Sequence, residues 1–265
     1  MITLHQNINT IIDMIKNIYY LICGLVIFIS SCNSSQNKEK SNETIIIHDT
    51  VMVSAIPEGT ITYNLPCRII SINPEQKGKA ILFLWLHGGV HDKKQHDFFG
   101  FNHMDCSCAD NLVLSYLKRN NIKAIALFPI CHKASMPNCI SWKECYNDVK
   151  KIIDDLTKLD LIDTSRIYVA GNSDGGVGTW DYAEMHPEMF AAAMPMSCAY
   201  PRMIKSIPIY FFNTKSEHDC TSEVNTLNSN GANIKYKYCS NVTHGGDDKE
   251  CTDELLNDFF NNIKQ

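Results

Sequence analysis

The stretch Arg166-Ile167-Tyr168-Val169-Ala170-Gly171-Asn172-Ser173-Asp174-Gly175-Gly176 decides the fold. Its first half is a strand-like apolar run; its second half is a tight glycine turn leading into 177–185, a segment able to form a helix. A serine that joins a strand to a helix must sit on a sharply bent backbone, so small residues are needed two positions before it and two after. Gly171 and Gly175 occupy those positions. Such a bend lifts the Ser173 hydroxyl off the sheet edge and aims the Asp174 N–H at whatever the serine attacks. The competing reading, a nucleotide-binding glycine turn, lacks its G-x-G-x-x-G spacing here.

Upstream, Val149, Ile152, Ile153 and Leu156 recur at helical spacing, and Lys150, Lys151, Asp154, Asp155 and Lys158 form the opposite, solvated face. Further back, Ala80-Ile81-Leu82-Phe83-Leu84-Trp85-Leu86 is continuously apolar, as expected of a strand buried on both faces of a parallel sheet. It stops at His87-Gly88-Gly89, a turn able to offer a backbone N–H to a developing oxyanion; Gly89 is the expected donor and Val90 the alternative. Strands are also expected over 44–53, 61–72, 124–128, 190–196 and 207–212, and a helix over 110–119. Strands alternating with helices predict a single α/β domain with a mainly parallel central sheet and helices on both faces. The polar and aromatic stretch 92–102 and the loop 130–142, with Met136 and Trp142, are expected to rim a site.

The chain has 265 residues, 45% of them hydrophobic, and a net charge of -5, which suits one substantial core and argues against nucleic acid as a partner. Residues 18–29 are almost wholly apolar, long enough for a signal core and short for a membrane span. They end in Ile29-Ser30-Ser31-Cys32, which resembles the lipobox of bacterial lipoproteins. That resemblance implies cleavage after residue 31, acylation of Cys32 and export to a bacterial membrane, with Met14 an alternative start. Residues 32–43 then read as a polar tether and 44–265 as the catalytic domain. Setting aside Cys23 and Cys32, ten of the 12 cysteines remain, an even number compatible with disulfides in an exported chain. No C-x-x-C pair or H-E-x-x-H spacing points to zinc.

The serine turn, the approach to it through Asn147-Asp148-Val149 and Asp163-Thr164-Ser165, and Leu86-His87-Gly88-Gly89 together resemble the α/β-hydrolases. Within that fold they are similar to the exported esterases that include feruloyl esterases and polyhydroxybutyrate depolymerase-like proteins. The resemblance implies an acid after the strand 207–212 and a histidine after the last strand. His244, in Val242-Thr243-His244-Gly245-Gly246, fits the order serine, acid, histidine; His186 abuts a proline and His218 lies too close to the acid loop. The acid loop departs from the usual H-G-x-x-D, reading Asn213-Thr214-Lys215-Ser216-Glu217-His218-Asp219-Cys220-Thr221. Counted without gaps, the acid is Glu217; with two extra residues it is Asp219, just before a helix expected near Ser222. Asp219 is the assignment and Glu217 the alternative.

The implied chemistry is two-step acyl transfer on a carboxylic ester: Ser173 attacks, His244 moves the proton, and the N–H groups of Gly89 and Asp174 hold the oxyanion. It needs no metal or organic cofactor. A tethered, exported enzyme suggests a small-molecule or carbohydrate ester as substrate. A serine peptidase resembling the prolyl oligopeptidase catalytic domain and a catalytically silent binding module on the same scaffold are the other two readings.

Overall fold

The computed structural model describes residues 67–89, 112–129, 142–198 and 200–264, together with the backbone of 46–48. All of them fall in one compact unit, 42–265. The elements in chain order are β1 (Ile46–His48), β2 (Cys67–Ile72), β3 (Ala80–Leu86), α1 (Leu114–Arg119), β4 (Ala124–Pro129), α2 (Trp142–Lys158) and β5 (Ile162–Asn172). They continue with α3 (Asp174–Met185), β6 (Ala192–Met196), β7 (Ile209–Thr214), α4 (Thr221–Ser229), β8 (Ile234–Cys239), a 3₁₀ turn (Gly246–Glu250) and α5 (Asp253–Phe260). Among the described residues the sheet has eight strands in the order β1-β2-β4-β3-β5-β6-β7-β8, and only the β2–β4 pair is antiparallel. This is the α/β-hydrolase architecture that the serine turn predicted.

The unbroken apolar run of β3 is explained by its two neighbours in depth. Leu82, Leu84 and Leu86 point into one core with Trp142, Val149, Ile152, Ile153 and Leu156 of α2. Ile81, Phe83 and Trp85 point into the other core with Leu117 of α1 and Phe259 and Phe260 of α5. A strand that alternates between two cores has no polar face, so its sequence shows no period of two. Removing a buried leucine from either side would cost about 2–5 kcal/mol.

The parallel register brings the C-terminal ends of the central strands to one edge. There Leu86 pairs with Gly171, Asn172 with Met196, Met196 with Phe212, and Thr214 with Cys239. The turns leaving β3, β5, β6, β7 and β8 therefore meet along one rim, where ligands bind in open α/β sheets. Cys67, Cys145, Cys198, Cys220, Cys239 and Cys251 are buried and not joined in disulfides, which corrects the expectation of disulfides among the described residues. Each behaves as a small core side chain. Cys32, Cys106, Cys108, Cys131 and Cys139 lie outside the described residues, as do the signal and tether segments, Val90, the stretch 92–102 and Met136.

Candidate active site

Ser173 has φ 57° and ψ −121°, a conformation that a residue with a Cβ adopts only when its surroundings impose it. Three observations show what imposes it. The Ser173 N–H donates to the Met196 carbonyl at 2.9 Å, which ties the turn to the end of β6. Val177 N–H donates to the Ser173 carbonyl at 3.0 Å, which starts α3 at once. Finally, a Cβ on Gly171 would run into the Gly175 carbonyl, and one on Gly175 into the Leu86 carbonyl, so the turn closes only with hydrogen at both places. Asp174 is the first residue of α3, and its N–H belongs to the positive end of that helix.

The turn after β3 packs on this bend. A Cβ on Gly88 would lie 3.2 Å from the Asn172 carbonyl oxygen and from the Ser173 Cβ, and one on Gly89 would lie 2.8 Å from Asp174 Oδ2. Gly89 and Asp174 thus meet beside Ser173. Trp142, expected at the rim, is instead buried at 1% exposure. Its indole N–H donates to the His87 carbonyl at 3.0 Å and its ring meets the His87 imidazole edge-on at 4.9 Å. It props the glycine turn from below. A long loop with no periodic pattern hid this, because Trp142 is the first residue of α2 rather than the last of the loop.

His244 sits on the loop after β8. Its Nδ1 lies 2.5 Å from Glu217 Oε1, and its backbone N–H donates to Ser216 Oγ at 3.0 Å. Glu217 Oε2 accepts from the Thr214 N–H at 2.8 Å and from the Thr214 hydroxyl at 2.6 Å. Burial raises the Glu217 carboxyl pKa, but the hydrogen bonds from His244 and Thr214 outweigh it, and the carboxyl sits below its ordinary value. An ionised carboxylate only accepts, so the imidazole proton belongs on Nδ1 and the Nε2 lone pair is left available.

Asp219, assigned as the acid from the sequence, does not face His244. Its Oδ1 accepts from the Thr221 N–H at 3.0 Å and the Thr221 hydroxyl at 2.7 Å, closing the turn into α4. These bonds hold its carboxyl below the ordinary value, yet it is exposed. The carboxylate on His244 is therefore Glu217, the position reached by counting without gaps; no extra loop residue intervenes. Of the other histidines, His186 stacks on Tyr146 with centroids 3.9 Å apart. His218 lies 3.0 Å from Glu223 through Nε2 and lines the cavity beside Ser173.

That cavity measures about 340 Å³ and is walled by Val177, Cys198, Tyr200, Asn213, His218 and Cys220 next to Ser173 and Glu217. Tyr200 is 61% exposed and lies 5.4 Å from the His218 ring, so the mouth is an aromatic pair. Behind the site, three polar residues that the sequence reading did not single out form a cluster around the buried Asp247 and Ser197. Asp247 accepts from Ser197 Oγ at 2.9 Å and from Asn172 Nδ2 at 3.3 Å, and Ser197 Oγ accepts from the Gly245 N–H at 3.0 Å.

Comparison with known proteins points to the same fold. Residues 142–256 match the model of the prolyl oligopeptidase family, Peptidase_S9. A thermostable esterase of known structure is 25% identical, with a TM-score of 0.56, over 78% of this chain and 61% of that one. The chain thus spans about 61% of the length of that esterase. A chain from a structural analysis of two fungal esterases from Rhizomucor miehei stands at 12% identity and TM-score 0.53, over 76% of this chain and 82% of that one. Est1E from Butyrivibrio proteoclasticus, solved with ferulic acid bound, stands at 13% identity and TM-score 0.50, over 74% of this chain and 94% of that one. No curated protein sequence matches.

Proposed function

We propose that the protein is a serine hydrolase acting on carboxylic esters, with Ser173 as nucleophile, His244 as general base and Glu217 as the carboxylate that orients it. The observation that carries this reading is the pairing of a bent Ser173 at a strand-to-helix turn with a histidine held 2.5 Å from a buried-side carboxylate on the same sheet rim. His244 Nε2 takes the Ser173 proton as Oγ attacks the ester carbonyl, and Glu217 stabilises the imidazolium that forms. The oxyanion rests on the N–H groups of Gly89 and Asp174, where a helix N-terminus adds its positive end. His244 returns the proton to the leaving alcohol, and water repeats the cycle on the acyl-enzyme.

The aromatic mouth formed by Tyr200 and His218 suits a flat acyl or sugar group. An ester on carbohydrate or plant polymer is the substrate of this reading, and the neighbour Est1E, solved with ferulic acid bound, offers an analogy for its aromatic acyl group. Export and anchoring through Cys32, with cleavage after residue 31 and a tether to residue 43, complete the reading and rest on the lipobox-like sequence alone. Turnover of p-nitrophenyl acetate by residues 33–265, lost in Ser173→Ala, tests the chemistry; equal rates in both proteins refute it. Acetylated and feruloylated sugars then test the substrate. The match of residues 142–256 to the prolyl oligopeptidase model favours a second reading, peptide hydrolysis by the same residues. A panel of peptides with proline at the cleavage site separates the two.

A further inference from the structure

Asp247 is a fully buried carboxylate with no part in the acyl-transfer steps above. Its two oxygens serve two different elements. Oδ1 takes the amide N–H of Asn172, the residue before the nucleophile, and Oδ2 takes the hydroxyl of Ser197 at the end of β6. Ser197 has its only proton committed to Asp247, so its oxygen is turned to accept, and it accepts from the Gly245 N–H beside His244. A chain of three hydrogen bonds thus runs from the serine turn to the histidine loop. Gly245 itself has φ 78°, a left-handed conformation that glycine adopts without strain.

We propose that the ionised carboxylate of Asp247 is a positioning residue that locks the His244 loop onto the Ser173 turn, and that its protonation unlocks the two. This deepens the proposed hydrolase reading and rests on it for its catalytic consequence. Ionised, Asp247 accepts through both oxygens and both bonds are charge-assisted; protonated on Oδ2, it must instead donate to Ser197 Oγ, which turns the Ser197 proton away and strips both bonds of their charge. Burial raises the Asp247 pKa to about 6, against the opposing pull of the Ser197 hydrogen bond. The titratable groups facing Asp247 among the described residues are Glu217 after β7, Cys198 after β6 and Cys239 at the end of β8. Ionised, all three would be negative, so none favours the charged carboxylate. The lock therefore carries its charge above about pH 6, where ionising a buried carboxylate costs the fold some stability, and loses that charge, and with it the loop's hold, below about pH 6.

Asp247→Asn removes the charge at every pH and so stands in for the protonated carboxyl. Ser197→Ala cuts the link to Gly245 and leaves the carboxylate, and it serves if the first variant folds poorly. Two readouts decide the matter. Hydrogen exchange of the 240–246 peptide, which needs no turnover, should lose protection in both variants at pH 8, and wild-type protein should lose it between pH 7 and 5. With p-nitrophenyl acetate, kcat should fall about 10- to 100-fold in both variants with KM within about twofold, as expected for a misplaced base. The wild-type component near pH 6 on the acid limb of kcat/KM should vanish in Asp247→Asn. Unchanged exchange in both variants overturns the proposal, as does a pH profile in Asp247→Asn that keeps the wild-type shape. If wild-type protein turns over no ester yet exchange responds as stated, the lock stands and the hydrolase reading is what falls.

Discussion

The turn that carries Ser173 and the loop that carries Glu217 contribute to the same site but are built on different grounds. The serine turn is dictated by backbone collisions: with Gly171 and Gly175 against the Gly175 and Leu86 carbonyls, hardly any other sequence closes it. The acid loop is held by hydrogen bonds between side chains, with Thr214 and His244 on Glu217 and Thr221 on Asp219. Sterics of the first kind leave a mark in the sequence. In the second kind, two carboxylates two residues apart carry the same letters whether they serve catalysis or a turn.

Gly175→Ala should break the first region outright. Its methyl group must displace the β3 backbone, so a loss of about 3 kcal/mol or more and no measurable turnover are expected, checked by thermal melting and ester hydrolysis. A variant that melts like wild type would show that the bend tolerates a side chain. Next in size is the contrast within the acid loop. Glu217→Gln should lower kcat on the order of 10²- to 10⁴-fold, because the amide no longer enforces the Nδ1–H tautomer or supports the imidazolium. Asp219→Asn should stay within about twofold of wild type, since its bonds go to Thr221 and the substitution keeps an acceptor oxygen. The opposite ranking would restore Asp219 as the acid.

A smaller effect separates Glu217 from Asp247 by the sign of their pH dependence. The folded Glu217 carboxyl lies below its reference value of 4.5, so its stabilisation is present above that pH and is lost as the pH falls through the lowered folded value. Asp247 rises from 3.8 to about 6, so its contribution is present below 3.8 and is lost as the pH rises through about 6. Melting temperatures from pH 3.5 to 7.5 should show Glu217→Gln losing ground to wild type toward neutral pH, while the pH-dependent deficit due to Asp247 is absent from Asp247→Asn. A modest effect should come from Trp142→Phe. It keeps the ring under His87 but drops the indole N–H bond, and it should cost about 1 kcal/mol and at most a few-fold in turnover.

Legibility followed the same division across the whole chain. The apolar run of β3 matched its strand from Ala80 to Leu86, and the i, i+3, i+4, i+7 stripe of α2 marked the helix because both patterns report burial, which is local in sequence. The start of α2 was missed: Trp142 reads as loop until one sees it bonded to His87, 55 positions away in the chain. Helix α5 went unremarked, although Thr252 accepts from Leu255 N–H as its cap and Phe259 and Phe260 fill a core. Asp247 left no signal at all. In Gly246-Asp247-Asp248-Lys249-Glu250 it reads as one more solvated charge, and only the fold buries it.

By itself the sequence determined a mainly parallel α/β sheet, the bend at Ser173 and the glycine turn at Gly89, since each depends on steric or burial demands met within a few residues, whereas His244 was placed by the resemblance to the α/β-hydrolases. The tertiary structure alone decided which carboxylate faces His244, that Trp142 supports rather than rims the site, and that Asp247, Ser197 and Asn172 join the serine and histidine loops. Those are questions of which polar group meets which across the sheet edge, and hydrogen-bond partners separated by tens of residues are chosen by the packing of strands, which no local run of letters encodes.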